Sequence, residues 1–169
     1  NGNKTMTTGG GGMLLFNDTE LARKAKHLTT TAKRPHPYEF FHDEIGYNYR
    51  MPNINAALGC AQLETLPLFL EKKRALAQNY KNFFANTSIE FIDEPKNCIS
   101  NFWLNAIRLK SKSERDEFLT QTNAKGVMSR PCWVLMNKLP MFEHSQTTDL
   151  SHALKYEQTI VNIPSGVIA

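Results

Sequence analysis

The stretch Asn1-Gly2-Asn3-Lys4-Thr5-Met6-Thr7-Thr8-Gly9-Gly10-Gly11-Gly12-Met13-Leu14-Leu15-Phe16 decides the fold. Four glycines in a row free the backbone for positive φ and for close approach of another group. The apolar run Met13–Phe16 predicts a short buried strand. Asn17 or Asp18 is placed to cap a helix, with Glu20 adding negative charge to its first turn. Leu21, Ala22, Ala25 and Leu28 share one face of that helix. The chain starts without Met, and a polar glycine-bearing segment runs almost at once into an apolar strand. It reads as a fragment cut inside a domain.

Outward from this block the character changes. Arg34-Pro35-His36-Pro37 forbids regular helix, because each proline restricts the residue before it. Tyr38 to Arg50 is aromatic and polar without a clean period, the composition of a binding loop. Residues 52–84 are the most periodic part. Pro52 suits a first turn, and Ile54, Ala57, Leu58 and Ala61 follow at helical spacing. Pro67 predicts a kink or two consecutive helices. Lys72, Lys73 and Arg74 are read as a solvated face. A boundary is expected near Asn86–Ser88, where the pattern becomes α+β. There Phe102–Leu109 reads as a strand. Ser113 with Asp116 resembles a capping box for a helix ending at Gly126. Val127–Leu135 reads as a strand that Arg130-Pro131 forces to an edge or bulge. Asp149 is expected to cap a helix through Tyr156, and Thr159–Ile163 to form the last strand.

Bulk properties set limits. The 169 residues are 41% hydrophobic and 21% charged, a globular composition. Twenty Lys and Arg against sixteen Asp and Glu give +4, spread along the chain without a basic tract. Nucleic-acid binding therefore gains little support. Cys60, Cys98 and Cys132, an odd count at wide spacing without Cys-x-x-Cys, argue against a disulfide framework and a zinc site, and a reducing cytoplasm is the simplest compartment. No apolar run approaches the roughly 20 residues a membrane span needs, and no signal peptide is recognisable.

Most chemical motifs fail. Gly9–Gly12 lacks the Gly-Lys-Ser/Thr ending of a phosphate loop and the spacing of a dinucleotide fingerprint. His42-Asp43-Glu44 is too compact for a metal site, so no metal is expected. Lys4 stands out. A lysine that forms a Schiff base needs a fixed backbone and room for a planar cofactor, which glycines supply. On the residues alone, however, a solvated lysine near a chain end is the stronger reading.

A resemblance changes that balance. The segment Asn1–Met13 resembles the coenzyme-lysine segment of the DegT/StrS-type nucleotide-sugar aminotransferases, which depend on pyridoxal 5'-phosphate (PLP). Glu44-Ile45-Gly46-Tyr47-Asn48-Tyr49-Arg50-Met51, then Asn55-Ala56-Ala57-Leu58-Gly59 and Ala61-Gln62-Leu63-Glu64, match the family in order and spacing. Ser129-Arg130-Pro131-Cys132-Trp133 and Asn162-Ile163-Pro164-Ser165-Gly166 are similar to small-domain segments of members acting on bacterial amino-sugar precursors.

The resemblance implies an α/β fold, the fold-type-I (aspartate-aminotransferase-like) PLP-dependent transferase. Residues 1–50 would end the large domain, 51–87 would be connecting helices, and 88–169 the small α/β domain. It implies PLP bound covalently to Lys4 as the catalytic residue. It implies that Asn48 reaches the coenzyme phosphate across a homodimer, and that Arg50 reaches a nucleotide-linked 4-keto sugar from the neighbouring subunit. Arg130 and Trp133 are read as substrate contacts or as a structural strand pair. Glutamate is the expected amino donor, with neither nucleic acid nor membrane as a partner. Gly10 departs from the Glu found there in many members. A serine, an acidic partner for the pyridine nitrogen and a ring-packing residue would all precede Asn1. Two alternatives stand beside this: a PLP-dependent sugar dehydratase, whose branch typically replaces the lysine with histidine, and a non-catalytic regulatory protein on the same scaffold.

Overall fold

The structure, a computed structural model, describes residues 1–167. Its compact units are Asn1–Leu66 and Pro67 onward. The division falls inside a helix.

In the first unit, helix α1 spans Thr19–Thr29, and Asp18 caps it by accepting from the Glu20 and Leu21 N–H groups. The long helix α2, Asn53–Phe84, begins in this unit and carries Pro67 in its interior. Of the two outcomes expected at Pro67, separate consecutive helices are not formed, because the helix runs through it. One lost i→i−4 bond is outweighed by the Leu, Glu, Lys and Ala helix formers on either side. The strand expected at Met13–Phe16 does not form, and Met13 and Leu15 are 81% and 85% exposed. A strand needs a neighbour's hydrogen bonds, and no described segment offers them.

The second unit holds an antiparallel sheet in the order β1-β2-β4-β3. Its strands are β1 (Glu90–Phe91), β2 (Asn105–Arg108), β3 (Arg130–Pro131) and β4 (Ile160–Ile163). β2 and β4 pair Ile107 with Val161 and Asn105 with Ile163. Alternate residues therefore face inward, and Ile107, Leu109, Val161 and Ile163 form the core. Tyr80 and Phe84 of α2 pack against it, as do Phe118 and Leu119 of helix α3, Lys112–Ala124. Pro131 cannot donate to a ladder, which is why the expected strand at 127–135 shrinks to two residues on the sheet edge.

Three further expectations shift. Ser111, not Ser113, caps α3: its hydroxyl accepts from the Glu114 N–H at 3.2 Å, and Glu114 accepts from the Lys110 N–H at 3.0 Å. The box is displaced by two residues because Ser-x-x-Glu occurs there, whereas Ser113 already lies in the helix. Helix α4 spans Ser151–Thr159 with Leu150 at its N-cap. Asp149 instead accepts from the Ser151 N–H and hydroxyl at 3.1 and 2.8 Å. Finally, Lys73 is buried rather than solvated. Its ammonium donates to the Ser165, Trp103 and Phe102 carbonyls at 2.9, 3.2 and 3.4 Å, and burial lowers its pKa.

Candidate active site

Residues 1–12 make a series of turns held from one side by the start of α2. The Asn55 amide donates to the Thr8 carbonyl at 2.5 Å, and the Thr7 N–H donates to Gln62 Oε1 at 3.2 Å. Gly59 faces the same loop, where an added Cβ would lie 3.0 Å from Thr8 Cγ2. Gly9 and Gly11 adopt φ of +75° and +140°, a region that side chains disfavour. Lys4 is exposed, and its N–H donates to the Asn1 carbonyl at 3.3 Å. Beside it, a Cβ added at Gly2 would meet nothing within 4 Å. The sequence reading assigned no role to Asn55, Gly59 and Gln62. Their signal is the i, i+4, i+7 spacing that turns one helix face to the loop.

Asn48 and Arg50 stand on a segment fixed by backbone. Thr30 and Asn48 form an antiparallel bridge, as do Lys33 and His42. Thr31 and Tyr49 N–H groups donate to Tyr47 and Thr29 carbonyls at 3.0 and 2.9 Å. Asp43 locks the base of the hairpin, accepting from Arg34 Nε at 3.0 Å and lying 2.6 Å from His27 Nε2. Its hydrogen bonds to Arg34 and then to His27 hold its pKa down at about 2. His27, Asp43 and Glu44 bring ligand atoms within 4.8 Å of one another. Both carboxylates are already neutralised, Asp43 by Arg34 and Glu44 by Lys24. This cluster is an ion-pair network.

An open cavity of about 950 Å³ lies between the glycine run, α1 and the segment 48–55. Asn48 and Arg50 line it together with Gly10, Gly11, Gly12 and Lys26. Lys4 is not part of the lining. Within one chain, therefore, the structure brings Asn48 and Arg50 together and leaves Lys4 outside their cavity. Arg130 and Trp133 belong to the second unit. Arg130 is exposed on the sheet edge, and Trp133, 64% exposed, stacks with Trp103 at 6.4 Å between ring centroids.

A family model for the DegT/DnrJ/EryC1/StrS aminotransferases matches residues 1–167. The chain belongs to this family. GDP-perosamine synthase of Escherichia coli O157:H7 is 35% identical over 165 residues, covering 97% of this chain and 44% of that protein. Among solved structures, the aminotransferase TlmJ from Streptoalloteichus hindustanus superposes with a TM-score of 0.81 at 23% identity, over 94% of this chain and 43% of that one. Spr1654 of Streptococcus pneumoniae, solved in PLP and PMP forms, matches with a TM-score of 0.75 in both, at 18% and 19% identity. It covers 92% and 91% of this chain, and 41% and 40% of that chain. These likenesses establish the fold-type-I architecture. The chain spans less than half the length of the curated relatives it matches. Among the described residues no helix is long and apolar enough to cross a membrane.

The residues present fit two ends of PLP. The amine of the exposed Lys4 has the chemistry for attachment at the aldehyde carbon, and the Asn48 amide can donate to a phosphate oxygen. Residues 1–17 contain no Asp or Glu to face the pyridine nitrogen.

Proposed function

We propose that this chain is the C-terminal part of a PLP-dependent aminotransferase that transfers an amino group, from glutamate, to a nucleotide-linked 4-keto sugar in bacterial surface-polysaccharide or amino-sugar biosynthesis. The observation that carries the reading is the family match over residues 1–167, with Lys4 at the head of the glycine loop. In this reading residues 1–50 close the large domain, 51–87 connect, and 88–169 form the small domain of a cytoplasmic homodimer.

Lys4 Nζ would hold the coenzyme, and when free it would carry a proton away from and back to the reacting carbon as a general acid and base. PLP, when bound, would supply an electron sink. Asn48 donates hydrogen bonds to the phosphate in the partner's site, and Arg50 adds a charge-assisted fork to the nucleotide sugar. Support for these two roles comes from their exposure. Among the described residues, neither the Asn48 amide nor the Arg50 guanidinium forms a hydrogen bond or ion pair, so both are available to a ligand. Arg130 and Trp133 contact the substrate from the small domain.

Borohydride reduction of the full-length protein, followed by peptide mapping, should place the coenzyme on Lys4. A label confined to another lysine overturns the assignment. Lys4→Ala should lower turnover by about 100- to 10,000-fold while the fold persists.

A further inference from the structure

The cavity between the glycine run and residues 48–55 contains more than the two groups assigned above. Lys26, in the last turn of α1, also lines it. Among the described residues the Lys26 side chain forms no hydrogen bond or ion pair, like those of Asn48 and Arg50. None of the lining residues is Asp or Glu. One concave space thus gathers two unneutralised cations and an uncommitted amide. Other cations of this unit are paired with carboxylates: Arg23 with Glu20, Lys24 with Glu44, and Arg34 with Asp43. The remaining wall is apolar, from Met13, Leu14, Phe16 and Met51.

We propose that Lys26 is a binding residue for the diphosphate of a nucleoside diphosphate moiety, acting with Arg50 in this cavity. Two positive charges match two phosphoryl groups. The apolar wall suits the flat face of a base, and about 950 Å³ falls within the usual range for a cofactor-sized site. An ammonium suits this task as a point charge, while the guanidinium supplies the fork. This deepens the reading above and rests on it, since it names the part of the nucleotide-linked sugar that the cavity takes. The same phosphate chemistry is offered by the coenzyme, and the experiment separates the two sources.

Inorganic pyrophosphate is the probe, titrated calorimetrically into the full-length holoenzyme, because it carries the diphosphate without depending on the base. Lys26→Gln should weaken its binding about 10-fold and flatten the dependence on salt, whereas Lys26→Arg should stay within about 3-fold of wild type. Coenzyme content, read from absorbance after dialysis, should be the same in all three. Lys26 is exposed, so thermal melting should confirm intact folding in each variant. Equal affinity in wild type and Lys26→Gln overturns the proposal, as does absence of pyrophosphate binding at millimolar concentration. Loss of coenzyme from Lys26→Gln with unchanged pyrophosphate affinity also overturns it, by assigning Lys26 to the coenzyme phosphate. Failure of the wider reading looks different: the borohydride label would be missing from Lys4.

Discussion

Gly46 has no room for a side chain. A Cβ there would stand 2.4 Å from the Thr31 carbonyl carbon and 2.5 Å from the Ala32 nitrogen. Those are backbone atoms, which cannot swing aside. Thr31 and Ala32 themselves hold φ of +73° and +49°, and Ala32 is fully buried. Gly46→Ala should therefore destabilise the protein at the upper end of the roughly 1–3 kcal/mol that overpacking costs. Urea denaturation measures it, and a midpoint equal to wild type would contradict the close approach. The letter Gly46 was visible in the sequence, within the block that resembles the family. Its reason was not, because it depends on left-handed backbone at a β-branched residue that local propensity argues against. Lys73 was hidden for a similar reason. Its acceptors, the carbonyls of residues 102, 103 and 165, are remote in sequence, so Lys72-Lys73-Arg74 looks like an ordinary charged helix face.

At the scale of elements, local chemistry was legible and partnership was not. Helix α1 and its Asp18 cap follow from neighbouring residues alone, as does the stop of α3 before Gly126, at φ +76°. Strand extents depend on who lies alongside, so Met13–Phe16 stays unpaired and Val127–Leu135 contracts to Arg130–Pro131. The second unit also has a tie that the sequence did not announce. Glu94 grips Arg74 of α2 at 2.7 Å and the Ser100 N–H at 2.6 Å. The Arg74 hydrogen bond first, then that from Ser100, depress the Glu94 pKa from the ordinary 4.5 to about 2. A carboxyl whose folded pKa is depressed contributes stability above its unfolded value and loses it as pH falls toward the folded one. This tie should be fully present above pH about 4.5 and fade toward pH 2. Glu94→Gln should flatten the fall in melting temperature over that interval. An unchanged slope would mean that the tie contributes nothing to acid sensitivity.

For the molecule as a whole, Lys4 is not among the residues that line the cavity of Asn48 and Arg50. The proposed homodimer would bring the two together by completing the centre from a second subunit. Mixing inactive Lys4→Ala protein with inactive Asn48→Ala protein should then restore activity, because each mixed dimer contains one site with both residues intact. Random exchange predicts about a quarter of wild-type turnover. No recovery despite proven exchange of subunits would place both residues in one subunit's site. The sequence exposed the candidate residues through three blocks of family-like spacing. It could not expose their grouping, since separation in space follows from folding of the intervening hairpin and helix.

The stacked pair of Trp103 and Trp133 has an optical consequence. They are the only two tryptophans in the chain, and their rings lie 6.4 Å apart at 22°. Rings so close couple their electronic transitions, so their circular dichroism carries an exciton signature that neither indole has alone. All the tryptophan emission of this chain thus originates from a single spot, where the segment after β3 meets the turn before β2. A shift in that signal reports on the seating of the sheet's edge, without any label being introduced.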